Sequence, residues 1–495
     1  MIKIHLNKVR ATAILLLAIP VFIFFLFWLR PLIGVLASAL LAVAVVLSLK
    51  SEDKVIEVKA STLVALGIII ALWVFLAGQG RFFTQSPDHL IRNAILRDMI
   101  NYPWPVRYEG PGDESLVYYI GYWLVPSGVG KIVSLMAGFE AGYMASRITL
   151  FIWSFVFIYL TLILIAFRLN KSSLKNILTI AAVFIFFSGM DCIGTIARHN
   201  TNDHIESWAQ LYVYNAMTTQ LMDVFNQAVP AWLATSLAIN EKDERAFALI
   251  GLLLLSTSPL PLFGLALYLV YVAGKNLITK KTNFKTIISP INVISVVVLL
   301  PIYWIYYDNN IAIESGITVS TSNHYVAASI ITSVIIYIAF VLLEFGLLLL
   351  AIWDKNWNKN KKADCIFVGA TLLVIPFLHV GWSTDFCMRA SIPILFILMV
   401  MLMEYFTDRT GDLKDKKNRL KFDMVLAVFL LGAVTAMALF ASTTKAFIES
   451  RGESAKTFDQ LEGLADLPLA DKGNCIGIDS SETNFYKYIG RIRST

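Results

Sequence analysis

The sequence is poor in charged residues. Of its 495 residues, 15% are Asp, Glu, Lys or Arg, whereas a soluble domain carries about a quarter. Hydrophobic residues make up 57% of the chain, and the mean hydropathy is +0.68. This composition excludes an ordinary soluble protein and indicates an integral membrane protein with several spans.

Motifs that identify common catalytic or ligand sites are also missing. The four cysteines are widely scattered with no CxxC or other metal-ligand spacing, so we expect neither a zinc site nor an essential disulfide. The sequence contains no Walker motif, GxGxxG fingerprint or nucleophile elbow, and hence no recognisable ATP or dinucleotide site. Basic residues occur in short groups between apolar runs, a pattern of membrane orientation that argues against a nucleic-acid partner. An activated substrate must therefore arrive another way, and a lipid-carried donor fits a membrane protein.

Apolar runs and the basic residues between them predict the topology. A helix needs about 20 apolar residues to cross the hydrocarbon core, and short cytoplasmic loops are rich in Lys and Arg. These rules give about 13 spans, with the N-terminus cytoplasmic and the C-terminus outside. The predicted spans are 11–29, 32–49, 61–78, 147–167, 175–194, 225–239, two short helices within 246–274, 286–305, 327–353, 365–379, 391–406 and 423–441.

The fold class that follows is an all-α polytopic integral protein of the plasma (inner) membrane. Residues 1–441 form its transmembrane domain, and residues 442–495 form a small extracytoplasmic cap. Residues 79–146 make the first large outer loop, in which 116–136 suits a juxtamembrane helix because it is rich in Tyr and Gly and contains Pro and Lys. The prolines in Ser256-Thr-Ser-Pro-Leu-Pro261 are tolerated in a membrane mainly where the chain lines a cavity.

The first outer loop gathers most of the polar side chains. The sequence Ser-Pro-Asp-His that ends at His89 opens a helix, and Asp88 with Arg92 is an i,i+4 pair on one helix face. One interpretation is a helix cap with a surface ion pair. Beside a membrane, and with Glu114 close in sequence, the same residues are also typical of a catalytic loop.

Two later outer loops carry further candidates. His204 and Glu206 suggest a metal site, but a spacing of two does not place both on one helix face, and a loop hydrogen-bond pair is the alternative. Asp385 and Arg389 form another i,i+4 pair where a predicted span begins. Arg389 either reaches lipid headgroups or grips a phosphate, with Asp385 fixing its orientation. Arg147 offers a weaker version of the same role.

These residues and their order resemble the GT-C superfamily of membrane glycosyltransferases, which use polyprenyl-phosphate-linked sugars. The similarity is best over residues 80–170, in SPDHLIRNAILRDMINYPWPV, then GDESLVYYIGYWLVP, then SRITLFIWSFVFIYL, whose Arg147 opens the span. Many members carry two adjacent acids where this chain has Asp88-His89, which leaves metal dependence open. Two extra spans precede the usual first span, and we expect this hairpin, residues 11–49, to pack at the periphery.

The resemblance implies a GT-C-like bundle that transfers a sugar from a polyprenyl-phosphate-linked donor to a glycan or lipid acceptor of the cell envelope, on the outer face and among membrane lipids. It makes Asp88 the general base, Arg92 its partner or a phosphate contact, and Glu114 a second acid. No cofactor is certain, and a divalent cation is the one candidate. The candidate residues are Asp88, His89 and Glu114 for catalysis, and Arg92, Tyr118, Tyr119, Arg147, His204, Glu206, Asp385 and Arg389 for substrate and phosphate binding.

Two other functions fit the same residues. A polysaccharide polymerase or ligase, with both substrates lipid-linked, also uses arginines in large outer loops. A transporter or flippase for a lipid-linked substrate predicts charged groups near the bilayer midplane and paired broken helices. No internal repeat is visible in the sequence, which weakens the transporter interpretation.

Overall fold

The computed structural model describes residues 1–108, 112–199, 204–308, 310, 315–317, 330–380, 384–408, 415–450, 462–468 and 472–491. Within these ranges the chain is mostly helical. The α-helices are α1 (Leu6–Trp28), α2 (Pro31–Ser48), α3 (Ala60–Leu76), α4 (His89–Asn101), α5 (Gly121–Ala137), α6 (Phe139–Leu169), α7 (Leu174–Phe186), α8 (Asp191–Ala197), α9 (Met217–Asp223), α10 (Phe225–Ala238), α11 (Phe247–Leu252), α12 (Pro259–Ile278), α13 (Phe284–Ile287), α14 (Pro290–Tyr307), α15 (Ile330–Val341), α16 (Leu347–Ile352), α17 (Lys359–Val374), α18 (Asp385–Ala390), α19 (Ile392–Asp408) and α20 (Lys416–Glu449).

Six short strands form three two-stranded antiparallel sheets in the described chain. The strands are β1 (Ile2–His5), β2 (Val55–Val58), β3 (Ser115–Leu116), β4 (Ser315–Ile317), β5 (Leu378–Val380) and β6 (Ile476–Gly477). β1 pairs with β2, with Ile2 opposite Val58, so the N-terminus is fixed to the connection between α2 and α3. β3 pairs with β6 and β4 with β5, so each of these sheets joins segments far apart in sequence.

Eight helical stretches of the described chain are long and apolar enough to cross a membrane. They are α1, α2, α6, α7 together with α8, α12, α14, α15 together with α16, and α20. The apolar helix α3 is shorter. The chain therefore has the helices of a multi-pass membrane protein, while the count of about 13 spans stays a prediction.

Local sequence signals explain many helix ends. α12 and α14 both begin at a proline, whose missing N–H is not needed in a first turn. The side chains of Ser173, Ser289 and Asp415 accept hydrogen bonds from backbone N–H groups in the first turns of α7, α14 and α20. The apolar run 246–274 is broken into α11 and α12, as the sequence predicts, with a 3-10 turn at Leu253–Ser256 between them. α12 has 20 residues, however, so it is not one of the two short helices expected.

The N-terminal hairpin does not lie wholly at the periphery, so that expectation is wrong for α1. Trp28 and Phe24 of α1 are buried. The Phe24 ring stacks on Tyr303 of α14, with ring centroids 5.0 Å apart, and meets Tyr306 edge-on at 4.9 Å. A helix that is apolar on all sides has no polar face to turn outward and can be surrounded by other helices.

The C-terminal segment packs on the loop of residues 79–146, as a cap would. β6 pairs with β3 in this loop, with Ser115 opposite Gly477. The backbone N–H of Arg491 donates to the carbonyl of Trp28 at the end of α1, at 2.7 Å. α20 continues to Glu449, beyond the predicted end of the last span, before the segment returns to the loop.

Asp98 joins the cap to α4. Its side chain is 0% exposed and accepts hydrogen bonds from the Tyr108 hydroxyl at 3.0 Å, the Leu464 N–H at 2.8 Å and Arg97 Nη1 at 3.1 Å. We expect Asp98→Ala to loosen the cap, since each buried donor left without an acceptor costs about 1–3 kcal/mol. Limited proteolysis should cleave the cap faster in this variant than in the exposed control Glu482→Gln. Equal cleavage rates would contradict this role.

Candidate functional site

Segments far apart in sequence meet around a cavity of about 390 Å³. It lies where the start of α4, the turn before α5, the start of α12, the end of α14, the region of α18 and the cap come together. The lining residues are Asp88, Ile91, Arg92, Tyr118, Tyr119, Pro259, Leu260, Tyr307, Asn310, Val380, Asp385, Arg389, Asn474 and Cys475. The structure thus brings together the candidates Asp88, Arg92, Tyr118, Tyr119, Asp385 and Arg389.

Asp88 is the accessible carboxylate of the cavity. It precedes α4 but makes no capping hydrogen bond with its side chain, which is 59% exposed. Its Oδ2 lies 3.4 Å from Nη2 of Arg92, a long contact for a charged pair. Of the simple interpretation, the ion pair with Arg92 is present and the capping hydrogen bond is not observed. Most of the acceptor capacity of this carboxylate is therefore available to another donor.

Arg92 is buried with unused donors. The residue is 7% exposed, and its Nε and Nη1 have no hydrogen-bond partner among the described residues. The guanidinium lies over the Phe225 ring, 5.9 Å from its centroid. Because a buried cation with unpaired N–H groups is unfavourable, the side of Arg92 facing the cavity is suited to receive an anion.

Arg389 approaches the same cavity from α18. It is 7% exposed and forms an ion pair with Asp385 through Nη1, while its Nε has no hydrogen-bond partner in the part of the chain described. Burial acts to lower the pKa of Arg389, but the negative charge of Asp385, together with the neighbouring Tyr119 and Tyr118 side chains, outweighs it and raises the pKa above its ordinary value. Arg389 is thus a permanent cation with a donor free for a ligand.

Two adjacent tyrosines with mutually tilted rings form one wall. The ring centroids of Tyr118 and Tyr119 lie 3.6 Å apart. The Tyr306 hydroxyl donates to the backbone carbonyl of Tyr118 at 3.1 Å and accepts from its N–H at 3.2 Å, which fixes this turn of the chain. Burial raises the pKa of Tyr119 to about 12 and raises that of Tyr118 well above its ordinary value, so both phenols stay neutral donors.

The candidate His89 lies behind the cavity and does not line it. It is 3% exposed, its Nε2 is 2.6 Å from the carbonyl oxygen of Met222, and its ring stacks on Phe225 with centroids 5.4 Å apart. Burial and the charge of Arg92 lower the pKa of His89 to about 3. A neutral ring that donates from Nε2 to Met222 fits this setting, which is a packing role.

This burial predicts a pH-dependent stability. An unfolded histidine has a pKa of about 6.5, so between about pH 6.5 and 3 the unfolded chain binds a proton that the folded chain does not. The contribution of His89 to the free energy of unfolding is therefore present above about pH 6.5 and is lost as the pH falls. At pH 5 the loss is about 2 kcal/mol. Between pH 8 and pH 5, the thermal unfolding temperature should fall less steeply in His89→Gln than in the wild type. Parallel pH profiles would contradict this.

Glu114 and Arg147 also lie outside the cavity. The Glu114 carboxylate accepts from Lys472 Nζ at 3.0 Å and so connects the first loop to the cap. Arg147 is buried and donates from Nε to the Gly80 carbonyl and from Nη2 to the Arg81 carbonyl, both at 2.7 Å. These contacts hold the loop in place, and neither side chain points its charge at the cavity residues.

His204 and Glu206 are likewise not among the residues that line it. Glu206 is 5% exposed, and its Oε1 accepts from the Ala216 N–H at 2.6 Å and from the Thr219 hydroxyl at 2.8 Å. Burial, with the nearby charge of Asp191, raises the pKa of Glu206 well above its ordinary value. His204 is exposed at the start of this turn. Glu206 therefore makes its hydrogen bonds to Ala216 and Thr219, and the predicted pair with His204 is not among the described hydrogen bonds.

Metal-ligating side chains do not cluster in the described ranges: no three His, Cys, Asp or Glu residues come close enough together there to hold an ion. Asp88 and Asp385 are the acids that line the cavity. Asp385 is already paired with Arg389, so a divalent cation at this site would have Asp88 as its most accessible protein ligand.

The sequence indicated the charged residues that line the cavity more clearly than the uncharged ones. Pro259 and Leu260 follow from the proline-interrupted run that predicts a cavity-lining break. Asn474 and Cys475 come from the cap, where no pattern in the sequence marks them. The one sequence feature that could have indicated Tyr307 is its position at the end of an apolar run.

No protein-family model, curated protein or solved structure matches the chain.

Proposed function

We propose that the protein is a GT-C type membrane glycosyltransferase. It transfers a sugar from a polyprenyl-phosphate-linked donor to a glycan or lipid acceptor of the cell envelope, at the outer face of the plasma membrane. One observation carries this proposal: a single cavity holds an accessible carboxylate, Asp88, and two buried arginines, Arg92 and Arg389, with unused N–H donors.

The arginines suit the phosphate of the donor. Planar guanidinium groups bind phosphate oxygens through parallel N–H bonds, and buried ones do so with little competition from water. When the bond between the anomeric carbon and the phosphate oxygen breaks, the departing polyprenyl phosphate gains negative charge. Arg92 and Arg389 stabilise that charge, which lowers the barrier to bond cleavage.

Asp88 suits the role of base. As the acceptor hydroxyl attacks the anomeric carbon, its proton passes to the Asp88 carboxylate while the electron pair of the breaking bond stays on the phosphate. Asp385, the other carboxylate of the cavity, is engaged by Arg389 and is less exposed, at 26% against 59% for Asp88. Asp385 therefore positions the phosphate-binding arginine, and Asp88 accepts the proton.

Tyr118 and Tyr119 suit the sugar. Their faces offer apolar surface to a sugar ring, and their neutral hydroxyls offer donors to its oxygens at every working pH. Asn310 braces this wall, since its Nδ2 donates to the Val117 carbonyl at 2.7 Å and to the Asn474 carbonyl at 3.0 Å.

The test is a transfer assay with purified full-length protein in lipid nanodiscs. Polyprenyl-phosphate sugars are supplied together with envelope glycans and lipids as acceptors. The proposal predicts release of free polyprenyl phosphate and appearance of the sugar on an acceptor. Recovery of every donor intact, with lipid moved between leaflets in a parallel liposome assay, would support the transporter interpretation in its place.

A further inference from the structure

An apolar groove runs between α11, α12 and α14, apart from the cavity described above. Its volume is about 650 Å³, and its walls are almost entirely aliphatic side chains, among them Leu262, Ala266, Val297 and Leu300. Other wall residues open outward, with Val270 71% and Ile288 64% exposed. Since α12 and α14 are both long and apolar enough to cross a membrane, hydrocarbon chains are the natural occupant of this surface.

One end of the groove carries a buried acid, Glu244. This residue is 1% exposed; its Oε1 accepts from Asn276 Nδ2 at 2.6 Å, while Oε2 has no hydrogen-bond partner among the described residues. Asn292, which also lines this end, is already engaged: its Nδ2 donates to the Glu244 and Ile287 carbonyls, and its Oδ1 accepts from the Ala248 N–H. The groove thus ends at a buried carboxylate oxygen that lacks a donor among the described residues.

Two cations adjacent in sequence to Glu244 and to its partner Asn276 are engaged elsewhere. Arg245 pairs with Asp243 at 2.6 Å, and Lys275 pairs with Asp364. Within the described ranges Glu244 forms no ion pair. A carboxylate buried beside hydrocarbon is unfavourable unless a cation or several donors compensate it, so this site calls for a positively charged donor from outside the chain.

We propose that the groove binds a membrane phospholipid with a primary ammonium headgroup. The acyl chains lie along the aliphatic walls, and the ammonium donates to Glu244 at the end near the basic loops. An ammonium carries three N–H donors and a full charge, which match the free oxygen of this acid. An anionic lipid offers no such donor and is repelled by the carboxylate, so the site selects the headgroup and not only the chains.

The probe is native mass spectrometry of the purified full-length protein in detergent. Phosphatidylethanolamine is compared with the same lipid acetylated on its nitrogen, which keeps the chains and the phosphate but removes the positive charge. Phosphatidylglycerol with the same chains is the third lipid. We expect phosphatidylethanolamine to bind about tenfold more tightly than either, because a charged hydrogen bond is lost in both.

Variants test whether the preference for phosphatidylethanolamine arises at Glu244. Glu244→Gln keeps the shape of the side chain and an oxygen for Asn276, and should reduce phosphatidylethanolamine binding to the level of the other two lipids. Ala266→Trp fills the groove and should weaken binding of all three, whereas the exposed control Glu449→Gln should change nothing. Equal binding of phosphatidylethanolamine and its acetylated form to the wild type would overturn the proposal, even if Glu244→Gln failed to fold. A preference that persists in Glu244→Gln would overturn it as well.

Discussion

Replacing Asp88 by Asn is expected to reduce sugar transfer by roughly a hundredfold or more, because the amide cannot take the proton of the attacking hydroxyl. Asn has nearly the same shape, and its oxygen can keep the long contact with Arg92. Since the Asp88 side chain is 59% exposed, the folded state should be almost unaffected. The loss should therefore appear in kcat, with the KM for the donor little changed.

Two companion variants sharpen this result. Glu449→Gln, at the exposed end of α20, should transfer sugar at the wild-type rate. Asp385→Asn should raise the KM for the donor more than it lowers kcat, because Asp385 orients a phosphate-binding arginine and does not take the proton. If Asp88→Asn keeps full activity while Asp385→Asn loses it, the base has been assigned to the wrong carboxylate.

Replacing Arg389 by Lys is expected to lower kcat/KM by roughly a hundredfold, although the positive charge is retained. A lysine ammonium is a compact point charge and cannot reproduce the planar fork that binds a phosphate and Asp385 together. Arg389 is buried, so the variant should also be checked for thermal stability. Inhibition by the product polyprenyl phosphate should weaken in parallel with the loss of transfer, since both depend on the same phosphate contact.

Arg245→Lys is the matched control. Arg245 is also paired with an aspartate, but its side chain is 64% exposed and it lies outside the cavity. Its replacement should leave transfer and product inhibition unchanged. If Arg389→Lys behaves like this control, Arg389 pairs only with Asp385 and does not bind the phosphate.

The sequence was informative about charge and apolar length. An acid and an arginine four residues apart must share a helix face, and both pairs, Asp88 with Arg92 and Asp385 with Arg389, reach one cavity. Proline within an apolar run predicted a segment that lines a cavity, and Pro259 lines this one. These inferences need only local geometry, which a sequence carries.

Contacts between segments far apart in the chain could not be predicted from the sequence. Glu114 lies close to Tyr118 in sequence, but its partner is Lys472 of the cap, and no local pattern shows that the C-terminal segment returns to the first loop. His89 follows Asp88 directly, yet a helix turns adjacent residues to different faces, and His89 is buried against Phe225. α1 looked like an added span because nothing in its own residues reveals that α14 packs on it.

The most direct measurement is a structure of the protein with bound polyprenyl phosphate. We expect phosphate oxygens about 2.7–2.9 Å from donors of Arg92 and Arg389, with Asp88 facing the position that the sugar leaves. A phosphate bound away from both arginines, with the cavity between Asp88 and Arg389 empty, would contradict it.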